Sequence, residues 1–292
     1  MADGNPGARH LSLPGEAGVM SFRRCRHGVM AFLTADDTIG RALDLYGEFA
    51  ESENRLMAAL LRSGDTAVDV GCNVGTVSLA LAARVGPAGR VLALDPQRLV
   101  FQAFCASLAL NGLTQVRAWH AAAGAREGRV RMPLPDPRRP FNFGAARVAG
   151  EGDAGPAEEV PVVTLDSLAL DACHLVKIDV EGMDFQVLQG AADLVRRCRP
   201  SIYMEAKTGP HTRSAIAWLQ ERGYLCHWHF APFFSADNFN GVRENVFGDR
   251  GDINLLALPS ERPARARLPV IAGPDADWRR DYRAFLDSAG AA

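Results

Sequence analysis

Apolar positions first recur with helical spacing in residues 38–64, TIGRALDLYGEFAESENRLMAALLRSG, where Leu56, Leu60 and Leu61 share a face and Ser63–Gly64 mark a stop. Tyr46–Gly47–Glu48 reads as a break between two helices of a cap. Upstream, Arg24–Leu33 predicts a hairpin turning at His27–Gly28, after a Gly-, Pro- and Ala-rich leader over residues 1–20. From Thr66 the pattern changes to apolar runs alternating with helical stretches: strand 66–70, helix 74–85, strand 90–94, helix 97–110 closed by Asn111–Gly112, then strand 115–120. Such alternation predicts a doubly wound α/β fold with a mostly parallel sheet.

The rhythm fails over residues 125–159, where one strand, Arg126–Met132, precedes a long stretch dense in Pro and Gly. Its aromatic cluster, Phe141–Asn142–Phe143–Gly144, either covers a site or pins the loop to the surface. After Glu159–Val163 and the capped turn TLDSL, the strand Leu175–Ile178 leads into a helix, and Arg199–Lys207 carries a strand ending in Glu205. A helix from about His211 to Glu221 follows. YLCHWHF (224–230) and INLLAL (253–258) alternate like an antiparallel edge hairpin. The Phe- and Asn-rich segment between them, which contains Asn238, is either a second substrate-side loop or a surface loop held by its own phenylalanines. Trp278, Tyr282 and Phe285 fall on a terminal helix.

Chemistry concentrates at Thr66–Ala82, a strand, glycine turn and helix start. This arrangement brings bare backbone N–H groups to a ligand above the strand. A dinucleotide fingerprint is G-x-G-x-x-G, whereas here Asp69, Gly71 and Gly75, with Cys72 and Asn73 between, give acid-x-Gly-x-x-x-Gly, the loop of S-adenosylmethionine sites. Asp95–Pro96 closes the next strand with a carboxylate suited to both ribose hydroxyls. Ala121 and Ala122 are small enough for adenine to lie on the backbone, while His120 at the strand end reads as solvent-facing. Asp179 and Glu181 follow the strand bearing Lys177 and point at the same crevice.

Composition narrows the class: 292 residues, 48% hydrophobic and 23% charged, predict a globular chain with a substantial core. A formal charge of -2 disfavours nucleic acid and anionic membranes as partners. Six scattered cysteines lack a C-x-x-C pair and indicate neither a disulfide framework nor a zinc site. His227 and His229 share a strand face but lack a third ligand at suitable spacing, so no metal is assigned. No apolar run reaches ~18 residues and no secretory signal opens the chain, so a cytoplasmic location is expected.

The stretches YGEFAESE, VDVGCNVGTVSLALA, RVLALDPQ, LALNGL, TLDSL, LVKIDVEGMDFQVLQGA and RPSIYMEA resemble, in order, the FkbM family of S-adenosylmethionine-dependent methyltransferases. KIDVEG is the distinctive block; Cys72 departs from the family's more usual alanine. The resemblance implies a class I methyltransferase, Rossmann-like domain over residues 65–260, with an N-terminal hairpin and helical cap (21–64) and a C-terminal extension (261–292). It also implies methyl transfer to a hydroxyl on a sugar or other small-molecule natural product, or to peptide side-chain nitrogen. For a hydroxyl, a carboxylate base is wanted, with Asp179 first, Glu181 second and Glu205 third. Lys177 could hold one of them ionised. The alternatives are that Asp179 and Glu181 cap the following helix, or that Asp179, Glu181 and Glu205 hold a divalent ion. Tyr46, Glu48, Asn142, Phe143 and Asn238 are further substrate-side candidates, although a buried aromatic and a capping acid serve equally for Tyr46 and Glu48. A nucleotide-dependent oxidoreductase and a non-catalytic cofactor-binding subunit are the rival classes.

Overall fold

The computed structural model describes residues 18–150, 153–207, 209–262 and 267–290. The leader expected at 1–20 therefore lies, apart from residues 18–20, outside the described chain.

The central sheet has seven strands. In chain order they are β3 (Thr66–Val70), β4 (Arg90–Leu94), β5 (Val116–Trp119), β9 (Leu175–Ile178), β10 (Ser201–Glu205), β11 (Tyr224–Pro232) and β12 (Gly251–Pro259), the intervening numbers belonging to strands outside this sheet. Their spatial order is β11-β12-β10-β9-β3-β4-β5, parallel from β10 to β5, with β12 antiparallel to β10 and to the edge strand β11. Helices α3 (Thr76–Val85), α4 (Arg98–Leu110), α5 (Asp184–Gln189), α6 (Ala192–Cys198) and α7 (Pro210–Glu221) connect the strands, and α8 (Trp278–Gly290) closes the chain. The architecture is a doubly wound, Rossmann-like α/β sheet with an antiparallel edge hairpin.

Alternation in the strands sorts the core into two layers. Val68, Val176, Ile202 and Met204 pack with α5, α6 and α7 on one face. Ala67, Leu175 and Tyr203 face the layer that contains Leu79, Leu81, Phe104 and the N-terminal cap. The chain leaves β3 toward β4 and β5, then returns to β9 on the other side. That reversal opens a crevice at the carboxyl ends of β3 and β9, where doubly wound sheets bind ligands.

The hairpin β1 (Met20–Cys25) and β2 (Gly28–Leu33) turns at Arg26–His27, one residue earlier than expected, because Cys25 pairs with Gly28. It is tied to α4 by Ala31 N–H to Ser107 Oγ at 3.0 Å and by Val29 N–H to Asn111 Oδ1 at 2.9 Å. Two cap helices follow, α1 (Ile39–Tyr46) and α2 (Glu51–Ala59), broken at Gly47 as expected. The irregular region 125–159 is more ordered than its Pro and Gly content suggests. Strands β6 (Ala122–Ala123), β7 (Gly128–Pro133) and β8 (Ala157–Val163) form a separate three-stranded sheet, and residues 134–150 form a strap beside it.

Candidate active site

A cleft open to solvent lies above β3, β4 and β9. Of the residues singled out in the sequence, Gly71, Asn73, Asp95, Pro96, Ala121, Ala122, Asp179 and Glu181 line it. The loop after β3 is held by close contacts: Gly71 has φ +74°, and a Cβ there would lie 1.9 Å from the Asp179 carbonyl oxygen. Gly75, at φ +94°, instead faces Phe104, 2.3 Å from where its Cβ would be, so it serves helix packing rather than the cleft.

The expectation of bare loop N–H groups is corrected. Gly71 and Cys72 both donate to Leu94 O, Asn73 donates to Asp95 Oδ2, Val74 to Asn73 Oδ1, and Gly75 to Cys72 O. From Gly71 to Gly75 every N–H is bonded, to the end of β4, to Asp95 or within the loop itself. Asp69 is fully buried beneath the loop, accepting from Ser78 Oγ at 2.6 Å and lying 3.3 Å from Lys177 Nζ. It supports the floor and does not reach the cleft. Cys72 is likewise buried, and burial pushes its thiol well above the ordinary range, which leaves it unreactive.

Asp95 is the lining acid best placed for a diol. Its Oδ1 accepts Gln97 N–H at 2.8 Å and its Oδ2 accepts Asn73 N–H at 2.9 Å, leaving lone pairs on both oxygens. Burial raises it to about 6 against the lowering effect of these two bonds. Gln97 also donates through Nε2 to Phe143 O at 2.8 Å, fastening the strap. Gly144, Ala146 and Val148 of that strap line the cleft, while Arg147 between them pairs with Glu181 at 3.4 Å. The Phe143 ring turns into the core, and Asn142 stays beside the strap with Oδ1 buried and unbonded, so neither lines the cleft. His120 is not simply solvent-facing: it stacks on Phe101 and bonds Pro96 O at 3.0 Å.

Beyond Asp179 lies a group of acids around two cations. Lys177 is 3.5 Å from Asp179 Oδ2, and Lys207 bridges Glu181 and Glu205. Burial raises Glu205 to about 9, aided by Asp179. It raises Asp252 and Asp184 to about 7 each, and Glu53 to about 8. Glu53, from α2, was given no role in the sequence, although it closes the stretch YGEFAESE. The alternative role of Asp179 and Glu181 as helix caps is not what the fold uses. Helix α5 starts at Asp184, whose carboxylate accepts Val180 N–H at 3.2 Å. Among the described residues, no group of three or more His, Cys, Asp or Glu is arranged to hold a metal ion.

Tyr46, Glu48 and Asn238 are placed away from the cleft, in the joint between the cap and the loop after β11. The Tyr46 hydroxyl donates to Glu244 O at 2.9 Å and its ring packs on Phe234 and Phe247. Glu48 pairs with Arg26 and accepts Phe239 N–H at 2.9 Å. Asn238 donates to Ser235 O and Val242 O within its own loop. Their hydrogen-bonding groups are directed into that joint and none of the three lines the cleft, in keeping with the structural alternative for Tyr46 and Glu48.

The family model for the Methyltransferase FkbM domain matches residues 69–226, more than half of the 292 residues. The chain belongs to this methyltransferase family. The match begins at the loop acid Asp69 and ends in β11, so it contains all the cleft-lining residues except Ile39 of the cap. No curated relative matches the sequence. Among solved structures, the methyltransferase FkbM from Methylobacillus flagellatus KT aligns at 18% identity and a TM-score of 0.42, over 68% of this chain and 45% of that one. The precorrin-6y C5,15-methyltransferase from Geobacter metallireducens GS-15 aligns at 15% and 0.45, over 70% and 86%. Trm5b from Pyrococcus abyssi aligns at 12% and 0.46, over 84% and 57%. The alignment thus spans under half the length of the FkbM structure.

Proposed function

We propose that this FkbM-family chain is an S-adenosylmethionine-dependent methyltransferase acting on a hydroxyl of a sugar or other natural-product acceptor. The observation that carries the choice of cofactor is the cleft's charge and donor inventory. Its lining includes Asp95, Asp179 and Glu181 but no lysine or arginine, and the glycine loop's N–H groups are already bonded. A pyrophosphate would find no lysine or arginine among the lining residues, with Arg147, Lys177 and Lys207 nearby already paired with Glu181 or Asp179, and no free N–H in the loop from Gly71 to Gly75. A sulfonium, with its positive charge, suits that wall.

The residues present fit such a cofactor. Asp95 would accept both ribose hydroxyls on its two remaining lone pairs, and Ala121 and Ala122 offer the flat, small surface that an adenine ring needs. When bound, the cofactor supplies an activated methyl on a positively charged sulfur. The chain must then align the acceptor with that methyl and take one proton. Asp179 is the proposed base: it lines the cleft, is half exposed, and stands at the acceptor-side end of β9. Glu181 and Glu205 are tied to Lys207, and Glu181 also to Arg147, so they support the wall rather than lead the chemistry.

No helix among the described residues is long and apolar enough to cross a membrane. The formal charge of -2 favours a small-molecule, glycan or peptide acceptor over nucleic acid, and a cofactor made inside cells fits a cytoplasmic setting. The test is calorimetric titration with S-adenosylmethionine, followed by transfer of labelled methyl to a panel of hydroxyl, amine and RNA acceptors. Labelling of amines alone would move the reading to N-methylation, and of RNA alone to nucleic acid. Cofactor binding without transfer to any acceptor would favour a non-catalytic subunit.

A further inference from the structure

Lys177 occupies an unusual place for a cation. It sits in β9, one of the central parallel strands, 5% exposed, in register with Asp69 of β3 and Tyr203 of β10. An ammonium in such a position must be matched by anions and hydrogen bonds. Lys177 Nζ donates to Gly71 O at 2.7 Å and lies 3.3 Å from Asp69 Oδ1 and 3.5 Å from Asp179 Oδ2. The Gly71 contact is a hydrogen bond, and the two carboxylates stand as ion-pair partners around the same ammonium. Burial alone would pull its proton affinity down, but Asp69, Asp179 and Glu53 outweigh that, and the ammonium is held above its usual range.

A purely structural ion pair needs Asp69 alone, since that carboxylate is buried and also secured by Ser78. The other two contacts lead to groups at the cleft. Gly71 is the loop residue lining it, and Asp179 is its acceptor-side acid. We propose that Lys177 is a positioning residue for methyl transfer, one ammonium setting the cofactor loop, through the Gly71 carbonyl, in register with the Asp179 carboxylate. The inference rests on reading the cleft as the methyltransferase site. The contact of Gly71 with the Asp179 main chain adds a second, rigid link between loop and base. A shift of Lys177 would thus displace both reactants' supports together.

The groups facing Lys177 are Asp69 from β3, Cys72 from the loop, Asp179 and, from the cap, Glu53. Those acting on Asp179 from neighbouring elements include Asp184, Glu205 and Asp252. The chain contains only two lysines, Lys177 and Lys207, so ¹⁵N-lysine labelling reports each ammonium directly, with Lys207→Arg used to assign the signals. The expected result on the folded chain is that S-adenosylmethionine shifts the Lys177 resonance and that Asp179→Asn shifts it too. In the neutralised pair Asp69→Asn/Lys177→Gln, cofactor affinity and kcat should each fall roughly tenfold or more. Lys177→Arg, which keeps the cation, should restore kcat in part. A lysine with only a structural role would leave kcat and KM unchanged at a lower melting temperature, and its resonance would ignore the cofactor; either result overturns the proposal. Should the paired variant fail to fold, the resonance measurements on the wild type and on Asp179→Asn decide alone. Failure of the wild type to bind S-adenosylmethionine would instead refute the reading of the cleft, and the response of Lys177 to Asp179→Asn would still test the link.

Discussion

Asp95→Asn separates the work of the carboxylate from that of its shape. In the wild type both oxygens already accept a backbone N–H, from Asn73 and Gln97, and each keeps a lone pair for one ribose hydroxyl. An amide in the same place keeps one acceptor and turns an NH₂ toward a backbone donor. One ribose hydroxyl then loses its partner, and the other is left with a neutral one. A hydrogen bond to a charged group is worth about 1.5–3 kcal/mol, so a loss of about 2–3 kcal/mol is expected, or roughly 30- to 150-fold in Kd for S-adenosylmethionine. Folding stability should change less, because the lost N–H bond is offset by relief from burying a charge. Calorimetric titration between pH 5 and 8 adds a second signature. Burial raises Asp95 to about 6, so wild-type affinity should weaken as pH falls through that value, while the Asn variant should show little such dependence. Equal affinity for the two proteins, with the same pH dependence in each, would refute the assignment of Asp95 to the ribose.

Three further outcomes follow from the geometry. Gly71→Ala forces a Cβ to within 1.9 Å of the Asp179 carbonyl oxygen at positive φ, so a loss of at least about 3 kcal/mol and a melting point lower by roughly 6–12 °C are expected in a thermal scan. Asp179→Asn should bind cofactor within about twofold of wild type yet slow transfer by about 10²-fold or more, as measured by single-turnover methylation. Burial raises Glu53 from 4.5 to about 8, so folding favours its protonated form, and its contribution is lost as pH rises from the unfolded value through about 8. Denaturant melts should therefore show stability declining over that window, and Glu53→Gln should flatten the decline.

The local motifs were legible because their physics is local. An apolar run ending in Asp69, glycines at fixed offsets and an acid after the next strand announce a strand-turn-helix site. What those residues do individually was not legible. Asp69 looks like a ligand contact in the chain and proves to be a buried anion for Lys177, a pairing that needs β3 and β9 side by side. The sheet of β6, β7 and β8 was hidden because β6 and β8 pair across a long, Pro-rich separation. For Tyr46 and Glu48 the chain left a structural and a substrate-side role equally open for a related reason: their partners Glu244 and Phe239 lie about two hundred residues away. Glu53 was missed because its altered proton affinity arises from burial where the cap meets the sheet, which no periodicity encodes.

The most direct test of the account is calorimetric titration of the wild-type protein with S-adenosylmethionine and, separately, with a nicotinamide dinucleotide. The carboxylate-lined cleft, with its loop donors already bonded, predicts saturable binding of S-adenosylmethionine at one site per chain and none of the dinucleotide. Saturable binding of the dinucleotide without binding of S-adenosylmethionine would contradict it.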